Sequence, residues 1–217
     1  FLEEGLVKFP EHLSYEEAAT LPCAAVTAFN AIAYQSGLRP NDVVLLEGTG
    51  GVSLFALQFA KAFNIDPILI SSSNEKLAMA KKLSEFRGIN YLECPDWSSK
   101  VRDFTQGEGV DAVVEVGGKA TIGQAIQSVK KGGVICVIGV LSGTSGAIDL
   151  RPILMNNLRL QGIFVGAKTV FLAMNRVITH CNIHPVIDRV FSFDEAPKAL
   201  AYLEGAKHFG KVVIKVV

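Results

Sequence analysis

The chain has 217 residues, 49% of them hydrophobic and 19% charged, with a formal net charge of +0. That is enough apolar material to fill one α/β core with further pieces attached. Neutral charge without a basic cluster argues against nucleic acid or an anionic membrane surface as partner, and no apolar run approaches the ~18 residues of a membrane span.

Cys23, Cys94, Cys136 and Cys181 are far apart and include no C-x-x-C pair, so a disulfide framework is not expected and a cytoplasmic setting is the default. The sequence opens at Phe1 with neither initiator methionine nor signal peptide and reads as a fragment.

Taken in order, Phe9-Pro10 belongs to an opening loop, and Ser14 caps a first turn carrying Glu16 and Glu17. Pro22 is expected to break that helix and start another from Cys23 to about Tyr34, closed by Gly37. Its small apolar side chains, Ala24, Ala25, Val26 and Ala28, call for a close neighbour.

The stretch from Asp42 to Phe63 organises the rest. Val43 to Leu46 suit a strand buried on both faces, Gly48, Thr49, Gly50 and Gly51 form a turn, and Val52, Phe55, Ala56, Phe59, Ala60 and Phe63 form one helical stripe. Strand, glycine turn and helix make a phosphate cradle, because bare backbone lets a diphosphate approach free N–H groups at the positive end of the helix dipole. From Gly48 to Ser53 the spacing is G-x-G-G-x-S, with Ser53 at the third small position of the dinucleotide fingerprint. No Gly-Lys-Ser/Thr follows, so it is not a P-loop. A dinucleotide is the favoured ligand; a methyl donor or a merely tight turn are the alternatives.

A second strand, Ile68 to Ile70, ends in Ser71, Ser72, Ser73, with Lys76 beyond and a helix to about Phe86. NAD binders usually place an acid near this point to bond the ribose 2′-hydroxyl. Three hydroxyls and Lys76 suit a 2′-phosphate better, so NADP is favoured over NAD, although Ser72-x-x-Glu75 also reads as a capping box. A short strand near Tyr91, a helix from Trp97 to about Phe104 and the strand DAVVEV (111–116) come next. That strand ends at Val116, with Gly117-Gly118 again exposing backbone to a ligand. After another helix, KKGG (130–133) turns the chain into a strand from Val134 to Ile138, ended by Gly139.

These alternations predict an α/β fold with a doubly wound parallel sheet, the Rossmann arrangement, and put Gly48, Ser71, Gly117 and Gly139 along one carboxyl edge. A sixth strand is expected over Leu158 to Val165, a helix from about Thr169 to His180, another from Asp194 to Leu203, and a final strand over 211–217. His180 and His184 are four apart, but Asn182 and Pro185 end the helix between them, so ordinary loop histidines are expected there and no metal.

The segments LSYEEAATLPCAAVTAFNAI, GTGGVSLFALQFAK, SSSNEKLAMAK, GVDAVVEVGG, GGVICVIGVLSG, LQGIFVG, PVIDRVFSFDEAPKAL and HFGKVVI run in family order over nearly the whole chain. Together they resemble the medium-chain dehydrogenase/reductase family, in its zinc-type alcohol dehydrogenase-like and quinone oxidoreductase-like branch. The resemblance implies that an N-terminal GroES-like catalytic domain would precede Phe1. Residues 1–20 would then be a remnant of it, 21–184 the Rossmann domain, and 185–217 a helix and strand returning to it.

It also implies pyrophosphate over Gly48, Thr49, Gly50, Gly51 and Val52, adenosine ribose near Ser71, Ser72, Ser73 and Lys76, and nicotinamide beside Thr27. Backbone contacts are implied around Ile138, Gly139 and Val140 and around Ile163, Phe164 and Val165, with Lys211 reaching the phosphates; a solvated lysine accounts for Lys211 equally well. Cys23 stands where zinc-dependent relatives have one ligand, but a single thiolate cannot hold zinc, so no metal is expected in this chain. The implied protein transfers hydride between NADP, or NAD, and a small-molecule alcohol, carbonyl, quinone or activated alkene, and forms a homodimer through edge residues 158–166. A non-catalytic cofactor-binding module and a methyl-donor-dependent transferase are the alternatives.

Overall fold

A computed structural model describes residues 2–216. Six parallel strands form one sheet in the order β3-β2-β1-β4-β5-β6: β1 is Val43–Glu47, β2 Asp66–Ser71, β3 Arg87–Asn90, β4 Val110–Glu115, β5 Val129–Val137 and β6 Arg159–Gly162. β1 lies at the centre because both of its faces are apolar. Val44 and Leu46 enter the core on one side, and Leu45 the separate core on the other, as the two-residue pleat requires.

Helix α3, Gly51–Ala62, lays its expected stripe into the first core, where the Phe55 and Phe59 rings stack 6.3 Å apart and Phe29 meets Phe59 edge-on at 5.1 Å. Helices α5, Trp97–Phe104, and α6, Ile122–Ser128, cover the opposite face. The doubly wound sheet is therefore present as expected.

Several boundaries differ from the sequence reading. Pro22 opens a second helical run as expected, in the first turn where its missing N–H costs nothing, but that run starts at Leu21 and takes wide π turns, Leu21–Ala25 and Asn30–Gln35, around α2, Val26–Phe29. Ser14 caps α1, Tyr15–Ala18, in a full capping box with Glu17. Helix α4, Asn74–Ala80, stops well short of Phe86 because Lys82 N–H and Leu83 N–H turn back to carbonyls three residues behind. Its cap is Ser73, whose hydroxyl accepts from Lys76 N–H, so the expected box from Ser72 is displaced by one residue. Lys130 to Gly133 lie within β5 beside a register shift against β4, not in a turn ahead of it.

After α7, Leu150–Met155, and the edge strand β6, helix α8 covers Lys168–His180. Ile187–Ser192 (β7), unforeseen from sequence, pairs in parallel with Lys211–Lys215 (β8), and a 3-10 turn, Phe193–Glu195, leads into α9, Ala196–Glu204. Of the predicted last strand, Val216 lies outside β8 and Val217 outside the described residues. Tyr15, Phe193 and Leu200 stay exposed on the N- and C-terminal pieces. Among the described residues no helix is long and apolar enough to cross a membrane.

Candidate functional site

The carboxyl ends of β1, β2, β4 and β5 meet around a cavity of ≈ 420 Å³ bordered by Gly48–Ser53, Ser71, Ser72, Lys76, Val116, Ile138 and Gly139. Its floor is the glycine turn. Gly48 has φ +75°, a left-handed conformation that strains any side chain, and its N–H is tied to Ile70 C=O at 2.7 Å. A Cβ at Gly50 would meet nothing within 4 Å, so the cleft is open there, whereas at Gly51 it would strike Lys211 Cδ at 2.5 Å and Ala24 Cβ at 3.2 Å. Gly51 thus lets α3 approach Ala24 and lets the Lys211 stem cross the turn. Helix α3 has no side-chain cap, which leaves its first amides for a ligand. Ser53 is buried and donates to Glu47 C=O at 2.5 Å, so its hydroxyl strengthens the strand-to-helix turn.

Ser71 and Ser72 both border the cavity, but Ser71 is buried and Ser72 exposed. The Ser73 hydroxyl is committed to the α4 cap and does not line the cleft. Lys76 Nζ donates to the carbonyls of Ala206 (3.1 Å) and His208 (2.9 Å), fastening the segment before β8 across the end of β2. Ala206, His208, Tyr91 and Leu141 border the same cavity and were not found by sequence reasoning. A second cavity of ≈ 500 Å³ adjoins it at Glu47, Gly48, Tyr91, Val116 and Leu141 and continues past Gly117 to Trp97.

Beneath both cavities lies a pair of buried carboxyls. Glu47 and Glu115 end adjacent strands and are 3% and 0% exposed. Glu115 Oε1 accepts from Gly117 N–H (2.7 Å), Gly118 N–H (2.8 Å) and the Thr121 hydroxyl (2.7 Å). Glu47 Oε2 accepts from Val116 N–H (3.2 Å) and Gly117 N–H (3.3 Å). The remaining oxygens, Glu47 Oε1 and Glu115 Oε2, are buried with no other partner. Burial, then the charge of Glu115, pushes the Glu47 carboxyl well above the ordinary carboxylate range. A proton retained on Glu47 bonds it to the Glu115 carboxyl, and the pair then clamps the glycine turn after β4.

The other predicted residues form a second group. Thr27 is buried, and its hydroxyl donates to Cys23 C=O at 2.6 Å. The segment after β6 runs along the same helix: Asn30 Nδ2 donates to Val165 C=O at 2.9 Å, and Gly166 packs on Val26. Ile163 is buried, Phe164 is 98% exposed, and Val165 has φ +55°, an uncommon conformation for a β-branched residue. At the β4 and β5 ends a Cβ on Gly139 would lie 2.3 Å from Val116 O, and one on Gly118 2.8 Å from Val140 Cα. Val140 borders a separate hollow with Gly118 and Gly143.

Cys23 is exposed, and no three His, Cys, Asp or Glu side chains among the described residues converge as a metal site. This chain's donor set does not fit zinc. His184 Nδ1 lies 2.7 Å from Glu17 Oε1, and its ring meets His12 edge-on, which joins the N-terminal loop to the turn after α8.

The sequence model for the zinc-binding dehydrogenase family matches residues 51–179, the stretch from the glycine turn through α8. The chain belongs to that family, within the medium-chain dehydrogenases/reductases. A zinc-type alcohol dehydrogenase-like protein of Schizosaccharomyces pombe is 44% identical over 98% of this chain and 63% of its own length. The solved structure of an NAD-dependent alcohol dehydrogenase superposes with TM-score 0.93 at 32% identity, over 100% of this chain and 63% of its own. A 2-octenoyl-CoA carboxylase reductase, solved with NADP and 2-octenoyl-CoA, superposes with TM-score 0.89 at 25% identity, over 96% and 51%. The chain therefore spans about half to two thirds of these dehydrogenases and reductases, and corresponds to the cofactor-binding part of this oxidoreductase family.

Proposed function

We propose that this chain binds NADP across the carboxyl edge of its sheet and serves as the cofactor half of an oxidoreductase acting on an alcohol, carbonyl, quinone or activated alkene. The cradle from Gly48 to Val52 carries the reading: bare backbone, an uncapped helix start and the Lys211 stem together fit a diphosphate. At the end of β2 there is no acid to hold a ribose 2′-hydroxyl; Ser71, Ser72 and Lys76 stand there and favour a 2′-phosphate. The relatives differ on this point, one being NAD-dependent and one solved with NADP, so the preference proposed here rests on the local residues.

In this reading the nicotinamide supplies hydride chemistry. Gly48 to Val52 bind the diphosphate through main-chain N–H groups, and the Glu47–Glu115 clamp fixes the second glycine turn. The helix bearing Thr27, with the Ile163 to Val165 segment held to it by Asn30, would receive the nicotinamide. The β6 edge has a neighbour on one side only, and Leu160 and Phe164 are exposed along it; we propose it as the contact in a homodimer.

Titrating NADPH and NADH by cofactor fluorescence tests the reading, with tighter binding of NADPH expected. Equal or weaker NADPH binding sinks the NADP preference, and binding of neither sinks the site. If NADPH binds but alcohols, quinones and enones all fail to turn over in the complete protein, the chain is a cofactor-binding module instead.

A further inference from the structure

We propose that His208 is a direct ligand of the dinucleotide's 2′-phosphate and that its imidazole takes up a proton from solvent when NADP binds, an inference that rests on the reading of the cleft above. His208 lies between α9 and β8, far in sequence from Ser71, Ser72 and Lys76, yet all four border one cavity. Its main-chain carbonyl is pinned by Lys76 Nζ at 2.9 Å, so His208 and the ammonium are held on the same rim. Its Nδ1 is buried and has no hydrogen-bond partner in the protein. A buried polar nitrogen left unpaired in an otherwise satisfied region marks a place where something else is to bind.

The charges around His208 explain why the proton would arrive with the ligand. Lys76 faces it from α4, Asp188 from β7 and Lys211 from β8. Burial first, then Lys76, with Lys211 adding to them, hold its pKa below the ordinary histidine value; Asp188 acts in the opposite sense and is itself bonded by the Tyr202 hydroxyl at 2.6 Å. In the empty cleft the imidazole is therefore neutral at pH 7. A 2′-phosphate carries nearly two negative charges there and favours the imidazolium, in which both ring nitrogens donate. NAD has a hydroxyl in that place and brings no such charge. His208 would thus separate the two cofactors through a proton, beyond any direct contact.

Calorimetry of NADP and NAD binding to the intact protein tests this, in two buffers of different ionisation enthalpy between pH 8 and 6.5. Part of the 2′-phosphate's own titration, near pH ~6, enters these data, so uptake is read as the difference between wild type and His208→Gln. Expected are net proton uptake with NADP in the wild type, less uptake in the variant, and an NADP affinity that rises more steeply on acidification in the wild type, by up to about tenfold per pH unit, than in the variant. NADP binding with the same proton count in both proteins overturns the proposal and leaves the cofactor reading standing. Equal uptake with NAD overturns the assignment to the 2′-phosphate, and failure of both dinucleotides to bind removes proposal and cofactor reading together. Should the variant not fold, carbon-13-labelled histidine in the wild type supplies the answer: one imidazole pKa rises with NADP and not with NAD, and the absence of any rise overturns the proposal.

Discussion

Glu47→Gln tests the shared proton beneath the cleft. The wild-type pair meets five hydrogen-bond donations on two oxygens and leaves Glu47 Oε1 and Glu115 Oε2 without a donor of their own. A glutamine amide can donate where the Glu47 proton does, so the clamp survives while the ionisation is removed. The sign follows from linkage. Glu47 is held above its ordinary value of 4.5, so its contribution is complete below that pH and is lost as pH rises toward the folded pKa. Between those limits the native chain keeps a proton that the unfolded chain has released, and wild-type stability falls by up to ~1.4 kcal/mol per pH unit. Glutamine has no such slope. From pH 5.5 to 7.5 the variant should gain on the wild type, measured by urea unfolding at both pH values. A difference that does not change with pH refutes the shared proton. Glu47→Leu is the contrasting change: it strips the Val116 and Gly117 amides of their Glu47 acceptor and should cost about 2–4 kcal/mol at pH 5.5, a cost that shrinks toward pH 7.5 as the wild type loses the contribution of Glu47.

Gly51→Ala should weaken both dinucleotides roughly tenfold or more, because the new methyl displaces Lys211 from the turn and presses on Ala24; cofactor fluorescence reads the loss. Lys211→Ala should weaken NADPH and NADH by similar factors, since the diphosphate is common to both, and its affinity should lose part of its salt dependence. Ser72→Asp should move preference toward NADH; Ser72 suits this test because it is exposed, whereas an acid at buried Ser71 would be driven into the core. Phe164→Asp should lower the sedimentation coefficient if β6 joins two copies, and an unchanged value in a dimeric wild type would place the contact elsewhere.

The local parts of the fold were legible. Strand, glycine turn and helical stripe share one continuous sequence, and their periods differ enough to be told apart. The carboxyl-edge alignment of Gly48, Ser71, Gly117 and Gly139 followed from strand alternation alone. What escaped was set by partners distant in sequence. Glu47 and Glu115 attract no notice in the sequence until the order β2-β1-β4 places them side by side. His208 enters the cleft only because β8 pairs with β7 and Lys76 ties the preceding segment across β2. Ser73 took the cap expected of Ser72, a one-residue choice that composition does not decide. Thr27 and Lys211 came from family resemblance, and their surroundings explain why pattern alone was silent: one is a buried helix residue, the other the start of an unremarkable strand.

The bridge between Gly50 and Gly210, with Gly210 N–H donating to Thr49 C=O at 3.0 Å, has a consequence for biosynthesis. The glycine turn after β1 is translated early, but one of its walls is delivered by the much later segment around Gly210. A nascent polypeptide can assemble the central strands early and still hold an unfinished turn until the segment around Gly210 emerges from the ribosome. Chains stopped just before residue 210 would keep most of their hydrophobic interior yet capture cofactor poorly, so premature termination there should silence ligand uptake before it abolishes folding.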